Sequence, residues 1–298
     1  MAQVEFGFYP NTFNYSGDKI KITTLPDLKH KVDYVASWTS VYNGWIYAPR
    51  LELENGGEVT QLPYTNRYFG MPMTHTIEHQ DSDPHRLWFL VWVFGFLAGM
   101  KMMPEGHLFL DSTPLKSGSL NDFYASNKEL KIGLECADAL WDKHGANNLG
   151  IQNLEGAIHA LWLAKRRNLL QFEEFTYAYQ ALDACWRASA EIKGLSSVNS
   201  AHANRLEAMA IHFNIEKPEW LDLPKIRNSL FHEALISDGS RKLPLGYANI
   251  PSARNPSIPF SYEMLCFVRR VIVGLLDMPA KKYIQSSMTS MQQQALLD

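Results

Sequence analysis

Residues 171–191 read QFEEFTYAYQALDACWRASAE, and their large apolar side chains recur at helical spacing. The intervals alternate between three and four residues along Phe172, Phe175, Tyr179, Leu182 and Trp186. That alternation places all five side chains on one stripe of an α-helix. The stretch therefore predicts a helix that packs one aromatic face into a helical bundle.

Two later stretches, Leu206 to Phe213 and Leu265 to Leu275, repeat this spacing. Gly194 and the Ser/Asn-rich run after it separate two of the predicted helices, and residues 251–259 form a longer loop bounded by prolines. Ser119-Leu120-Asn121-Asp122 combines a side-chain acceptor with an acid three residues later, which predicts a helix start there. We expect the chain to be helical beyond about residue 115.

The N-terminal part has the periodicity of strands and turns. Lys19 to Thr23 alternates polar and apolar residues, and Asn43-Gly44 and Asn55-Gly56 indicate hairpin turns between short strands. The exception is Leu87 to Met100, an apolar run that is too short to span a bilayer and is typical of a buried helix. The predicted fold class is α+β, with a β-rich part followed by an all-α bundle.

We place the predicted domains at residues 1–115 and 116–298. The net charge of the chain is −3. Residues 151–298 hold 16 Lys and Arg against 14 Asp and Glu, whereas residues 1–150 hold 12 against 17. A polyanion site is therefore expected to be local and to lie in the second half. Three widely spaced cysteines, and an N-terminus that does not resemble a secretory signal, predict a cytoplasmic protein that does not use a membrane.

Arg227, Asn228 and His232 are the candidate catalytic residues. A permanent guanidinium cation can hold a phosphate, and a nearby side chain that titrates near neutral pH can move a proton. The arginine would stabilise charge on non-bridging phosphate oxygens, while the histidine takes a proton from an attacking hydroxyl or gives one to the leaving oxygen. A ribose 2′-hydroxyl supplies this nucleophile from within RNA, so the chemistry needs neither a metal nor another cofactor.

The spacing of these residues predicts an assembly. We call the predicted helix that carries Arg227, Asn228 and His232 the motif helix. Asp222 is expected to cap it, with Pro224 in its first turn. Asn228 and His232 lie four positions apart on one face, but Arg227 and His232 project at about 140° around the axis. We therefore expect a single helix not to aim both side chains at one point. Two motif helices packed about a dyad would bring an arginine and a histidine to one point, which predicts a homodimer with a shared site.

The motif resembles that of the HEPN superfamily, in which four to six residues separate an Arg from a His and Asn often follows the Arg. The order of predicted helices over roughly residues 121–280 is also similar. The resemblance implies an all-α dimerising domain and a metal-independent endoribonuclease of the phage-defence or toxin type, which leaves a cyclic phosphate. It further implies an antitoxin or defence partner protein and a sensing role for the β-rich domain. Many members have Gly after the His, whereas here Glu233 either orients the imidazole or repels the substrate.

Two other interpretations of the motif remain open. In one, Arg227 pairs with a neighbouring side chain and His232 packs in the bundle. In the other, a non-catalytic HEPN-type module dimerises or docks a partner while the N-terminal domain recognises a ligand. Arg241 and Lys242 follow the motif helix and are candidate substrate contacts to the RNA backbone, whereas Lys165-Arg166-Arg167 is typical of a solvated helix C-terminus.

A histidine-rich segment has the residue types of a metal site, but its pattern favours an exposed polar loop. His75, His79 and His85 lie there with Asp81 and Asp83, next to Pro84, and we predict no metal. The sequence lacks a Walker loop, G-x-G-x-x-G and G-x-S-x-G, so kinases, dehydrogenases and hydrolases of these types have no support. The expectation is a cytoplasmic homodimer that cuts RNA without a cofactor.

Overall fold

The computed structural model describes residues 2–81, 83–167, 169–195, 202–217, 223–233, 235–237, 242–244, 257–288 and 293–297. The chain forms two compact units, Met1–Ala146 and Asn147–Asp298. The first unit is rich in strands and the second is mostly helical, which confirms the predicted α+β class.

The first unit contains short strands and three helices among its described residues. The strands are β1 (Ala2–Gly7), β2 (Tyr15–Ser16), β3 (Ile20–Thr24), β4 (Val41–Tyr42), β5 (Trp45–Tyr47), β6 (Arg50–Asn55), β7 (Glu58–Thr65), β8 (Tyr68–Phe69), β9 (His75–His79), β10 (Met103–Pro104), β11 (Phe109–Leu110), β12 (Ser112–Pro114) and β13 (Phe123–Tyr124). The helices are α1 (Leu28–Ala36), α2 (Pro84–Ala98) and α3 (Asn127–His144).

A five-stranded antiparallel sheet organises this unit, with the strand order β10-β1-β9-β3-β2. Ile77, at the centre of β9, pairs with Val4 of β1 and with Ile22 of β3, and both isoleucines are buried. Helix α2 packs against β1 and β9, so the apolar run is a buried helix as predicted. Among the described residues, no helix combines the length and the apolar character that crossing a bilayer requires.

The two predicted hairpins are confirmed. Strands β4 and β5 flank Asn43-Gly44, and both turn residues have positive φ, at 49° and 75°. In the second hairpin Asn55 pairs with Glu58, so the turn is Gly56-Gly57, one position beyond the predicted Asn-Gly. Positive φ at both central residues is the geometry that Asn and Gly tolerate in tight hairpins.

Strand β9 corrects the prediction of an exposed loop around the histidines. His75 and His79 have exposed fractions of 0% and 2%, because β9 lies between β1 and β3. Only His85, in the first turn of α2, is exposed. In the part of the chain that the structure describes, no three His, Cys, Asp or Glu side chains are placed to hold a metal ion.

Helix α3 begins at Asn127 and not at the predicted start near Ser119. The backbone N–H of Ser126 donates to the Glu129 carboxylate in a capping box, whereas the Ser119 hydroxyl donates to the carbonyl of Lys116 within a turn. Helix α3 packs against α2, which places it in the first unit. The two units consequently divide at residues 146 and 147, later than the predicted boundary near residue 115.

The second unit is built from helices with short strand pairs. The helices are α4 (Leu149–Ala164), α5 (Gln171–Lys193), α6 (His202–Phe213), α7 (Leu223–Glu233), α8 (Ser257–Leu275) and α9 (Lys281–Gln285). The strands are β14 (Leu235–Ser237), β15 (Lys242–Pro244) and β16 (Gln294–Ala295).

Helix α5 is the central element of this unit, since it packs against α4 and α8 and also contacts α6. Its aromatic stripe is buried from Phe175 to Trp186, as the spacing predicts, and Phe172 is half-buried. Gly194 ends the helix in the left-handed conformation, with φ of 72°. The closing helix α8 begins at Ser257, within the predicted proline-bounded loop, and its four predicted core residues are buried: Leu265, Val268, Ile272 and Leu275.

Candidate functional site

Helix α7 carries all three candidate catalytic residues. Leu230 is buried and anchors the helix, while Asn228 and His232 are exposed and Arg227 is half-buried. Pro224 is the second residue of the helix, where its missing N–H costs no helical hydrogen bond. The predicted cap, Asp222, lies outside the described residues.

The structure joins Arg227 and His232 within one chain, which corrects the expectation that one helix cannot bring them together. The Nη1 atom of Arg227 is 2.9 Å from Nε2 of His232 and donates at 3.0 Å to Oδ1 of Asn228. The angle of about 140° separates the directions of the two Cβ atoms, but the long arginine side chain spans the gap. One guanidinium nitrogen carries two hydrogens and so can serve both acceptors.

This contact indicates which tautomer a neutral His232 adopts. Because a guanidinium only donates, Nε2 of His232 presents its lone pair, and the hydrogen of the neutral ring lies on Nδ1. The resting arrangement therefore holds the imidazole as an acceptor, with Arg227 covering the lone pair that a general base would use.

A cleft of about 340 Å³ opens beside Arg227. Helix α7 contributes Arg227 and Phe231 to its lining, and α4 contributes Asn153. Helix α5 supplies five more side chains, namely Tyr179, Gln180, Asp183, Ala184 and Arg187. The cleft thus has apolar rings, amides, one carboxylate and two guanidinium groups around a space that reaches the motif.

The electrostatics of the cleft depend on Asp183. Arg205 donates to its Oδ1 at 3.0 Å, and Arg187 lies 3.7 Å from its Oδ2. The pKa of the Tyr179 hydroxyl is raised to about 12, chiefly by burial and then by the negative charge of Asp183, against the opposing effects of Arg227 and Arg205. Tyr179 is therefore a neutral wall of the cleft at physiological pH.

Arg227 has donors left for a ligand. Its guanidinium carbon lies 5.6 Å from the ring centre of Phe231, a cation–π distance. Its Nε is buried and is not open to a ligand, whereas no described residue accepts a hydrogen bond from its Nη2. An anionic ligand in the cleft would meet a guanidinium that is positioned by an aromatic ring and not fully used by the protein.

The structure does not test the other predicted substrate contacts. Arg241 lies outside the described residues. Lys242 begins β15, which pairs with β14 directly after the motif helix, and its backbone partner is Ser237. Both residues stay predictions. The Lys165–Arg167 run does lie at a helix C-terminus, since α4 ends at Ala164 and Lys165 caps it.

Most residues that line the cleft were not predicted from the sequence as site residues. Gln180, Asp183 and Arg187 have spacings of three and four, which places them on a polar stripe of α5 next to its aromatic stripe. This spacing could have indicated a polar surface on α5. Nothing in the sequence connects that stripe with Asn153 or with Phe231, because packing of α4 and α7 brings them there.

No model of a protein family matches this sequence, and the same holds for curated proteins and for solved structures.

Proposed function

We propose that the helical unit is a HEPN-type endoribonuclease that cleaves RNA by attack of a ribose 2′-hydroxyl, without a metal cofactor. The observation that supports this most is the 2.9 Å contact between Arg227 Nη1 and His232 Nε2 beside an open cleft. The contact unites a phosphate-binding cation with a proton acceptor at a solvent-accessible position. Asn228 assists by fixing the guanidinium through its side-chain oxygen.

The proposed reaction is an internal transesterification. Nε2 of His232 accepts the proton of the 2′-hydroxyl while the 2′-oxygen forms a bond to phosphorus and the bond from phosphorus to the 5′-oxygen breaks. The imidazolium of His232 that forms in this way gives its proton to the departing 5′-oxygen. The products are a 2′,3′-cyclic phosphate and a free 5′-hydroxyl, and the guanidinium of Arg227 stabilises the charge on the non-bridging oxygens.

Arg227 also controls when His232 becomes a base. A phosphate competes with the imidazole for the guanidinium, and the charge-assisted bond to phosphate is the stronger of the two. When Nη1 turns to the phosphate, the lone pair of Nε2 is released for the 2′-hydroxyl. Substrate binding and activation of the base are thereby one event.

The first experiment is to substitute His232→Ala in the full-length protein. We expect cleavage of single-stranded RNA to fall by at least about a hundredfold, since general acid–base catalysis contributes about 10²–10⁴. The matched control is His212→Ala, which removes an exposed histidine at the end of α6. Mass spectrometry of the wild-type products should show 2′,3′-cyclic phosphate ends, and cleavage should continue at an unchanged rate in EDTA.

Two results would oppose this proposal. A strict requirement for added magnesium contradicts the proposed chemistry. Intact RNA after incubation with the wild-type protein favours the non-catalytic module, in which the Arg227–His232 hydrogen bond is purely structural.

As a cellular role we propose a cytoplasmic toxin or defence effector that acts as a homodimer through its helical unit and is controlled by a partner protein. The support for this role is the resemblance of the motif and helix order to HEPN proteins of that type. Expression in bacteria should slow growth, and His232→Ala should restore it. Equal growth of both strains would argue against a toxin.

A further inference from the structure

We infer that the cleft beside Arg227 is a subsite for a guanine base, an inference that rests on the proposed ribonuclease function. The phosphate held by Arg227 would then belong to the same nucleotide, or to its neighbour in the RNA. This assigns a substrate preference to residues of α5 that lie far from the motif in sequence.

Size and shape favour a base in this cleft. Its volume of about 340 Å³ is in the range of pockets that bind small ligands. Phe231, with an exposed fraction of 44%, presents an apolar ring at its edge, and a ring of this kind can stack on a nucleobase. The base would lie next to the guanidinium of Arg227, which is already placed over the same phenyl ring.

The polar groups distinguish guanine from the other bases. The Watson–Crick edge of guanine offers two neighbouring donors, N1–H and N2–H₂, beside the O6 acceptor. The two oxygens of Asp183 match the donors, because a carboxylate has about four acceptor sites and the arginines nearby do not use all of them. The Gln180 amide is exposed, has no hydrogen-bond partner among the described residues, and can donate to O6.

The same groups disfavour the alternatives. Adenine and cytosine direct an unprotonated ring nitrogen, an acceptor, toward the position where Asp183 requires a donor. Uracil offers a single ring N–H with carbonyl oxygens on both sides. A good bidentate pair contributes about 1–3 kcal/mol of discrimination between bases, which corresponds to a preference of roughly tenfold or more.

The test uses the full-length His232→Ala protein, which keeps the cleft but not the proposed base. Calorimetric titration with 3′-GMP, 3′-AMP, 3′-CMP and 3′-UMP should give a Kd for 3′-GMP at least about tenfold below the others. Adding Asp183→Asn should abolish this preference. Glu191→Gln, which neutralises an exposed carboxylate on the same helix, should leave it unchanged.

Asp183 also pairs with Arg205, so Asp183→Asn could disturb the helical unit. Gln180→Ala avoids that difficulty, since it removes an exposed amide, and it should weaken 3′-GMP binding while leaving 3′-AMP binding as it was. Equal affinities for the four nucleotides, or a guanine preference that survives both substitutions, would overturn the subsite.

The experiments distinguish failure of the guanine subsite from failure of the proposed ribonuclease function. If the wild-type protein cuts RNA without preference for guanosine, and the four nucleotides bind equally, the guanine subsite is wrong and the ribonuclease function is supported. If the His232→Ala protein selects 3′-GMP through Asp183 while the wild type leaves RNA intact, the nuclease is wrong and the cleft is a nucleotide-binding site.

Discussion

His75 shows how the fold changes the chemistry of a single residue. It has no exposed surface, its ring stacks on Phe6 with the ring centres 5.5 Å apart, and each ring nitrogen lies near a threonine hydroxyl, those of Thr74 and Thr24. Burial lowers the pKa of this imidazole to about 4. The sequence alone suggested a metal ligand or a surface histidine, because the strands that cover His75 come from other parts of the chain.

This pKa predicts a dependence of stability on pH. Between pH 6.5 and 4 the unfolded chain binds a proton at His75 that the folded chain does not bind, so the free energy of unfolding decreases as the pH falls through this range. The contribution is at most about 3 kcal/mol. Urea unfolding of wild type and His75→Gln at pH 7.0, 5.5 and 4.5 measures it, and the variant should lose less stability on acidification. Parallel losses in both proteins would assign the effect to other groups.

Among the secondary-structure elements, those with local signals could be predicted from sequence. The Asn43-Gly44 turn, the aromatic stripe of α5 and the apolar helix α2 are examples, since turn conformation and helical periodicity are properties of neighbouring residues. The start of α3 was misplaced because Ser119 and Ser126 both precede an acid by three residues, and only the second pair forms a capping box. A local pattern does not reveal which of two equivalent signals the tertiary structure uses.

Glycines in two helices give a paired prediction at this scale. Gly99 ends α2 with φ of 62°, and a Cβ there would lie 2.7 Å from the Cα of Gly118. Gly99→Ala should therefore lower the free energy of unfolding by at least about 2 kcal/mol. Gly156, exposed within α4, has nothing within 4 Å of its Cβ position, so Gly156→Ala should raise it by about 0.5–1 kcal/mol. Thermal unfolding of both variants checks the two signs, and a neutral Gly99→Ala would refute the argument.

At the scale of the whole molecule, the sequence indicated the motif but not the site. Arg227 and His232 were found because their residue types carry chemistry at short spacing. Asn153 and Asp183 join them only through the packing of α4, α5 and α7, and no short-range pattern encodes that packing. The charge distribution favoured the second half as the place for an anion-binding surface, which stays a prediction, and it did not distinguish among the sixteen Lys and Arg residues there.

The proposed homodimer makes a prediction about the origin of the catalytic pair. If the two motif helices meet about a dyad, mixing inactive Arg227→Ala and His232→Ala proteins produces mixed dimers in which one intact Arg227 faces one intact His232 of the partner. Half of randomly formed dimers are mixed, and each mixed dimer would carry one complete pair where the wild-type dimer carries two. A pair formed across the dyad would therefore return about a quarter of wild-type activity. Pairing Arg227→Ala with the Arg227→Ala/His232→Ala double variant leaves no complete pair and is the control. Because Arg227 already reaches His232 within its own chain at 2.9 Å, we expect the mixture to stay inactive, and recovery of about a quarter of the activity would show that the pair forms between chains.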